Sequence, residues 1–244
     1  MPLPFSDHLD QIAERSEVLR TVVATNDTEL RVPGCPAWTL RDLVVHVGQV
    51  QRSWAAHVLA GGADVPSVTD VPPDDLLEWS AASTKVLIDA LRVAGPDAPC
   101  WTWWEGSDTP STAGAVARHQ VQEAALHAYD AQSAVGQPRD LPSDIAIDCV
   151  DEFLVVSLGA MGEWPHPDAR IDLAADEGTR WTVRLTTAAK VEANPSGDPS
   201  ATVTGPAADL ILALYSRIPP EQLQIDGDRE VVEQLINWAR MSTE

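Results

Sequence analysis

Basic residues, cysteines and long apolar runs are all scarce in this sequence. Lys and Arg total 16 against 37 Asp and Glu, which gives a formal net charge of -21. Such a charge repels phosphate backbones and anionic lipids, so neither nucleic acid nor a membrane surface is an expected partner. The three cysteines, Cys35, Cys100 and Cys149, are far apart and include no CxxC pair. Neither a disulfide framework nor a thiolate zinc site is therefore predicted.

No uninterrupted apolar segment approaches the length that spans a bilayer, and the N-terminus becomes polar too soon for a signal peptide. Because scattered, unpaired cysteines suit a reducing compartment, these absences together predict a cytoplasmic protein. The chain does have 44% hydrophobic residues over 244 positions. That is enough for one large domain or two modest ones, each with a real core.

Helical spacing of apolar residues predicts five helices in the first two thirds of the chain. A capping box of Thr39 and Asp42 opens the second helix, and Ser111 or Thr112 can cap the fourth. The predicted helices cover about 6–27, 39–61, 76–95, 112–136 and 145–155, and they indicate a bundle. The tryptophan-rich segment 96–110 is predicted as a loop, which packs over the end of the bundle or lines a substrate pocket.

Beyond Trp164 the periodicity changes to the alternation typical of strands. Alternating segments around 171–173 and 181–185, and further candidates near Val191 and Val203, precede helical runs at 208–217 and 229–241. We therefore predict an α+β protein with a helical domain over residues 1–165 and a small α+β domain over residues 166–244.

Glu123 and His127 are the first candidates for chemistry. They lie four residues apart on the fourth predicted helix, so both side chains share one face and can reach one ion. His46, on the second helix, supplies a third candidate ligand. Two histidines and a glutamate leave an open coordination position of the kind that catalytic zinc sites require. From spacing alone, hydrogen-bonded and half-buried histidines are the stronger interpretation.

A helical wheel favours an inward position for this pair. Arg118, Gln122 and Gln132 cluster on roughly the opposite side of the helix and are predicted as its solvent face. An inward carboxylate without a partner would be costly, which favours a ligand or a charge beside Glu123.

The neighbours of the pair have open interpretations. Asp130, one turn beyond His127, is either an orienting partner for the second ring nitrogen of that histidine or a plain surface aspartate. His119 could compete as a ligand from one turn before Glu123, but a structural role is favoured. Cys35 lies in a proline-flanked turn and is interpreted as a structural residue.

Two segments carry a family resemblance: CPAWTLRDLVVHVGQV at 35–50 and QEAALHAYDA at 122–131. They resemble the mycothiol-dependent maleylpyruvate isomerase family. This family joins a DinB-like N-terminal bundle to a C-terminal α+β domain of sterol-carrier-like build. The resemblance extends over nearly the whole chain, since DLILALYSR and IDGDREVVEQL are similar to parts of the second domain.

The resemblance implies that His46, Glu123 and His127 bind a divalent metal, usually zinc. It further implies that mycothiol, a sugar-linked cysteine thiol, occupies the open metal position as a thiolate whose sulfur attacks a small electrophile. The chain departs from the family pattern at Gln122 and Ala128, where members often have histidine and arginine. These departures concern the identity of the substrate rather than the metal.

Maleylpyruvate would be isomerised by thiol addition, bond rotation and thiol elimination, whereas a substrate with a leaving group would undergo S-transfer. Arg217 resembles an arginine of the second domain that could bind a substrate carboxylate, the alternative being a surface arginine at a helix end. The resemblance leaves open the electrophile, the choice between these two reactions, the metal and the oligomeric state.

The leading hypothesis is thus a mycothiol-dependent S-transferase or isomerase from an actinobacterium that makes mycothiol. Two other classes remain open. One is a non-catalytic protein that binds an apolar small molecule and uses the metal as a brace. The other is a metal-dependent hydrolase in which bound water replaces the thiol as nucleophile.

Overall fold

The computed structural model describes residues 3–70, 72, 74–186, 189–192 and 197–240. The chain forms two compact units. The first contains the residues up to Trp103 together with Pro110–Asp140, and the second contains Trp104–Thr109 together with the residues from Leu141 onward. No helix in the described ranges combines the length and apolarity needed to cross a membrane.

The first unit is a four-helix bundle. The helices are α1 (Phe5–Ala24), α2 (Leu40–Leu59), α3 (Leu76–Ala94) and α4 (Ala113–Ala134). Helices α1, α2 and α3 each bury an apolar stripe, α4 is buried on most of its circumference, and the largest buried side chains include Ile12, Leu43 and Leu87. The predicted bundle is therefore present, formed by the first four of the five predicted helices.

Side-chain caps fix where three of these helices begin. The Thr39 hydroxyl accepts from the Asp42 backbone N–H, and the Asp42 carboxylate accepts from the Thr39 N–H at 2.8 Å, which completes the predicted capping box. Hydrogen bonds from the Thr39 N–H and the Thr39 hydroxyl to its carboxylate hold the pKa of Asp42 below its ordinary value. At the starts of α3 and α4, the side chains of Asp75 and Thr112 each accept from the backbone N–H three residues later.

A short antiparallel hairpin, formed by β1 (Arg31–Val32) and β2 (Cys35–Thr39), joins α1 to α2. The sequence pattern predicted only a turn here. Pro33 and Pro36 have no backbone N–H to donate, and they interrupt the alternation of apolar and polar residues that is typical of a strand. Because β2 ends at the cap of α2, the hairpin holds its side chains next to the first turns of that helix.

Gly48 of α2 lies close against Trp79 of α3. A Cβ at this position would lie 2.2 and 2.5 Å from two ring carbons of Trp79, and Arg52 covers the same ring at 5.3 Å. Glycine to alanine in a helix ordinarily stabilises a protein by about 0.5–1 kcal/mol. We expect Gly48→Ala instead to lower the free energy of unfolding by roughly 1–3 kcal/mol, because the ring must be displaced.

Chemical denaturation measures this effect, with Gly106→Ala as the control because a Cβ there would meet nothing within 4 Å. A Gly48→Ala protein as stable as the parent would contradict the close packing of α2 on α3.

The second unit combines three helices with a five-stranded sheet. The sheet order is β5-β4-β3-β6-β7, with β3 and β6 parallel and the other pairs antiparallel. The strands are β3 (Ala169–Ala175), β4 (Arg180–Leu185), β5 (Ala189–Val191), β6 (Ala201–Gly205) and β7 (Gln224–Gly227). The helices are α5 (Ser143–Val155), α6 (Ala207–Leu214) and α7 (Arg229–Arg240). This confirms the α+β class; Met241, at the end of the last predicted helix, lies outside the described residues.

Helix α5 belongs to the second unit. Phe153 packs on Tyr215 at a ring distance of 4.8 Å, and Trp181 Nε1 donates to Asp151 Oδ1 at 3.2 Å. The main part of the second unit thus begins at Leu141, whereas the change of periodicity near Trp164 predicted a domain boundary at residue 165. The difference arises because the periodicity of α5 shows that it is a helix but carries no information on which core it joins.

Candidate metal centre

Three predicted side chains converge between α2 and α4. His46 Nε2 lies 2.9 Å from Glu123 Oε1, and His127 Nε2 lies 3.3 Å from the same oxygen. One donor atom from each residue lies within 4.8 Å of the other two. Two imidazole nitrogens and a carboxylate oxygen at this spacing fit a divalent ion such as zinc, whose bonds to such donors are about 2.0–2.2 Å long.

Exposure increases across the site from one side to the other. The side chain of His127 is 9% exposed, that of Glu123 21% and that of His46 33%. The site is therefore anchored in the bundle at His127 and open near His46. A further ligand could reach an ion there, as a catalytic site requires.

Asp130 fixes the ring of His127. Its Oδ2 lies 3.0 Å from His127 Nδ1 and accepts the hydrogen bond, and the Asp130 side chain is only 1% exposed. This contact directs Nε2 of the ring toward Glu123. Of the two interpretations left open by the sequence, the structure therefore shows the orienting partner rather than a surface aspartate.

The buried charges shift two pKa values in opposite directions. Burial alone would raise the pKa of Glu123, but the charge of His127 and hydrogen bonds from both histidines hold it well below its ordinary value. Burial alone would lower the pKa of His127, but Glu123 and Asp130 raise it to about 9. Below a pH of about 9 the raised pKa of His127 favours protons on both of its ring nitrogens in the metal-free protein, and a metal must displace the one on Nε2.

These shifts predict how the stability of the metal-free protein depends on pH. Because the pKa of His127 is raised from 6.5 to about 9, its protonated form stabilises the fold fully below pH 6.5, and this contribution is lost as the pH rises toward 9. The contribution of Glu123, whose pKa is lowered, is present above its ordinary value of 4.5 and is lost in acid. Thermal unfolding of chelator-treated protein should therefore show a falling Tm from pH 6.5 to 9.

Saturating zinc should remove or reverse this fall, since metal binding is favoured by loss of the same proton. His127→Gln serves as the control, because it lacks the titrating group. A metal-free Tm that rises over this pH range in the parent but not in the variant would contradict the assignment.

Trp38 forms one wall of the site and was not identified from the sequence. Its ring centroid lies 4.5 Å from that of His46 and 6.1 Å from that of His127. The two histidine rings are nearly perpendicular at 5.1 Å. The only signal in the sequence was the position of Trp38 directly before the capping box, which says nothing about the direction of its ring.

Cys35 also lies closer to the site than expected. Its thiol donates to Asp130 Oδ2 at 3.9 Å, and Cys35, His127 and Asp130 form a second group whose donor atoms lie within 4.8 Å of one another. An ion in that group would contact the fully buried Asp130 and would be closed to substrate. The contact instead supports Asp130, which agrees with a structural role for Cys35.

Replacing Asp130 with asparagine should weaken zinc binding by about 10–100-fold, because the ring of His127 loses its anionic partner. Competition with a chelator of known affinity measures the change. Asp89→Asn is a matched control, since the Asp89 side chain is 47% exposed and its ion pairs in the described part of the chain are with Lys85 and Arg92 of its own helix. Equal zinc affinity in the parent and in Asp130→Asn would show that the carboxylate does not orient the ligand.

The sequence matches the profile described as the mycothiol maleylpyruvate isomerase (MDMPI) N-terminal domain over residues 9–132, just over half of the chain. It also matches the MDMPI C-terminal domain over residues 144–234. The chain belongs to the mycothiol maleylpyruvate isomerase family. This result confirms the resemblance stated above and the prediction of an enzyme family. Among curated proteins, none matches the sequence significantly.

Two solved structures share the fold of this chain. A crystal structure of the mycothiol-dependent maleylpyruvate isomerase superposes with a TM-score of 0.56 at 16% identity, covering 86% of this chain and 88% of that chain. A mutant of that isomerase with one histidine changed to alanine superposes with a TM-score of 0.57 at the same identity and coverage. At this identity the likeness shows a shared fold.

The positions where this family member departs from the usual pattern are buried. Gln122 is 1% exposed and Ala128 is 3% exposed. The predicted solvent face of α4 was therefore wrong at Gln122, and Arg118 and Gln132 are only half-buried. The helical wheel predicted the wrong solvent face because α4 is buried on most of its circumference. Its polar residues therefore do not indicate which side is exposed.

The tryptophans of the loop before α4 and Arg217, which were also predicted as candidate functional residues, lie partly in the first unit and partly in the second. In the first unit, Trp101 and Trp103 contact histidine rings. In the second unit, Trp104 is fully buried. Arg217 follows α6 and is half-buried, with Nη1 donating to the Tyr215 carbonyl at 2.8 Å. The tryptophans of this loop thus make packing contacts, and the substrate-pocket role stays a prediction.

Proposed function

We propose that this protein is a metal- and mycothiol-dependent enzyme of the S-transferase or maleylpyruvate-type isomerase class. One observation carries the proposal. His46, Glu123 and His127 bring three donor atoms within 4.8 Å of one another in a member of this family, and Asp130 holds the most buried of them in place. Without a metal, protonated His127 offsets the buried carboxylates, and a divalent cation bound by the three donors can replace that proton.

Each residue of the site has a separate task in this proposal. Glu123 neutralises the ion, His46 and His127 complete its protein ligands, and Asp130 fixes one ring. Trp38 shields the centre from one side, where its ring packs on His46. A zinc ion held there supplies one effect, which is to lower the pKa of a coordinating thiol so that it stays a thiolate at neutral pH.

The proposed isomerisation balances without any further reagent. The thiol sulfur adds to one carbon of a cis double bond conjugated to a carbonyl, and the adjacent carbon becomes part of an enolate. The former carbon–carbon double bond is now a single bond and can rotate. Expulsion of the same sulfur then restores the double bond in the trans form. With a substrate that carries a leaving group, the sulfur displaces that group and the thioether is the product.

Arg217 is proposed as the residue that binds a substrate carboxylate. The preceding residue, Ser216, has a φ of 57°, a left-handed conformation that is uncommon outside glycine and asparagine. Strain of this kind is retained where the surrounding structure fixes the chain, often near functional residues. A guanidinium can bind a carboxylate through two parallel hydrogen bonds, which would orient a small electrophile.

A direct assay tests the proposed function. Metal-loaded protein is mixed with mycothiol and either maleylpyruvate or an alkylating electrophile, and the products are followed by absorbance and mass spectrometry. We expect conversion that requires both mycothiol and metal. Turnover that is independent of thiol, with water incorporated in the product, would support the hydrolase instead and refute the proposal.

A non-catalytic binding protein is the second candidate. The apolar cavity of the second unit, lined by side chains that include Leu173, Val203 and Leu235, has a volume of only about 10 Å³, so it must widen before it can hold a small molecule. Binding of a small apolar probe there, with no product in the assay above, would support this candidate.

We further propose that the partners are limited to small molecules and that the protein works in the cytoplasm of a mycothiol-producing actinobacterium. The net charge of -21 disfavours polyanionic partners, and three cysteines that lie far apart in the sequence suit a reducing compartment.

A further inference from the structure

Five aromatic side chains form a cluster that the metal centre does not use. They come from α2, from α4 and from the loop before α4, and we call them the aromatic shelf: Trp54, His57, Trp101, Trp103 and His119. His57 and Trp101 stack at 4.5 Å with an interplanar angle of 24°. Trp54 and Trp103 each meet His119 edge-on, at 6.0 and 5.6 Å. Trp103 is 43% exposed, so the cluster reaches the surface.

The aromatic shelf lies on the same pair of helices as the metal centre. His46 of α2 meets Glu123 and His127 of α4, and further along α2 Trp54 meets His119. The order is reversed between the two helices, so they are antiparallel. The metal centre and the aromatic shelf are eight residues apart on each helix, counted from His46 to Trp54 and from His127 to His119. At a rise of 1.5 Å per residue this is a distance of about 12 Å along the helix axes.

Polar atoms at and beside the shelf point to a ligand that forms hydrogen bonds. His57 is 4% exposed, and its Nδ1 is buried with no hydrogen-bond partner among the described residues. Gln120 of α4 is 1% exposed, and both polar atoms of its amide are likewise buried and unpaired within the described part of the chain. Gln120 is adjacent to His119 and three residues before Glu123. Buried polar atoms without partners are rare in proteins and mark places where water or a ligand is expected.

We propose that the aromatic shelf binds the sugar part of the thiol whose sulfur occupies the metal centre. This inference rests on the proposed function. Tryptophan faces suit the apolar faces of sugar rings, while His57 Nδ1 and the Gln120 amide suit their hydroxyl groups. None of the shelf side chains carries a permanent charge, which fits a neutral polyhydroxylated ligand better than a carboxylate.

The length of a sugar-linked thiol is sufficient to connect the metal centre with the aromatic shelf. A cysteine linked to a sugar through an amide places the first sugar atom roughly 6 Å from the sulfur, from standard bond lengths. Two sugar-sized rings beyond that atom extend past the distance of about 12 Å that separates the centre from the shelf. The sulfur and the sugar can therefore occupy the two sites at once.

Comparing mycothiol with the sugar-free thiol N-acetylcysteine, with one electrophile and metal-loaded protein, tests the inference. We expect Trp103→Ala to increase the ratio of KM for mycothiol to KM for N-acetylcysteine by about five- to tenfold. Val93→Ala, which removes an exposed apolar side chain from α3, should leave the ratio unchanged. An unchanged ratio in Trp103→Ala would overturn the proposal.

A binding measurement separates this inference from the proposed function. Metal-free protein is titrated with the sugar part of mycothiol, without its cysteine, and followed by tryptophan fluorescence and calorimetry. Binding to the parent that is weakened in Trp103→Ala supports the shelf even if no thiol-dependent turnover is found. No binding to the parent, or equal binding to the parent and to Trp103→Ala, refutes the shelf even if the enzyme assay succeeds.

Discussion

Replacing Glu123 with alanine is expected to abolish stoichiometric metal binding and to reduce thiol-dependent turnover by at least about 100-fold. Glu123 is the anionic member of the candidate ligand set, and both His46 Nε2 and His127 Nε2 face its Oε1. Its loss removes one ligand and the one negative charge that the ligand set places directly on the ion. Losing an outer-shell partner alone typically costs about 10–100-fold in metal affinity or activity, so loss of a ligand should cost more.

Elemental analysis of purified protein, beside a turnover assay, measures both effects. Glu123→Gln is the informative companion, because it keeps the size of the side chain and removes the charge. Glu14→Gln, at an exposed position on α1, is the matched control. Full metal content in Glu123→Ala would exclude the proposed ligand set, whether or not activity falls.

Replacing Arg217 with alanine is expected to reduce kcat/KM for an electrophile that carries a carboxylate by roughly 10–100-fold, since hydrogen bonds between charged groups contribute about 1.5–3 kcal/mol. An electrophile without a carboxylate should be affected little, because it makes no such contact. Arg217→Lys should recover only part of the loss, since an ammonium group cannot form the paired hydrogen bonds of a guanidinium.

Steady-state kinetics with the two electrophiles measures the difference. Arg180→Ala, at an exposed position on β4, serves as a control for removing an arginine from the second unit. Equal losses with both electrophiles would assign Arg217 a structural role at the end of α6, in line with its hydrogen bond to the Tyr215 carbonyl.

The helices of the bundle were predictable because each depends on local sequence, whereas the three candidate ligands were selected by spacing together with the family resemblance. The Thr39–Asp42 box marks the start of α2, and a spacing of four residues puts Glu123 and His127 on one face whatever the surroundings. His46 was selected jointly by its helical position and by the family resemblance. The structure adds the convergence of the three side chains, which no local pattern specifies.

Features that depend on tertiary packing were not predictable in this way. The direction of the Trp38 ring depends on a hairpin whose prolines hide it, and Gln122 is buried because α4 is enclosed by its neighbours. The position of α5 in the second unit depends on Phe153 meeting Tyr215, which lies sixty-two residues later in the chain. In each case an amphipathic pattern indicates that a face is covered without indicating what covers it.

The most direct test of the metal centre uses cobalt(II) in place of zinc. Protein loaded with one cobalt ion is titrated anaerobically with mycothiol while its absorption spectrum is recorded. A thiolate-to-cobalt charge-transfer band that saturates at one mycothiol per metal, and that is lost together with the metal in His46→Ala and Glu123→Ala, is the predicted result. Cobalt that binds in the parent without developing this band, or that binds with full stoichiometry in both variants, would contradict a thiol-binding centre at His46, Glu123 and His127.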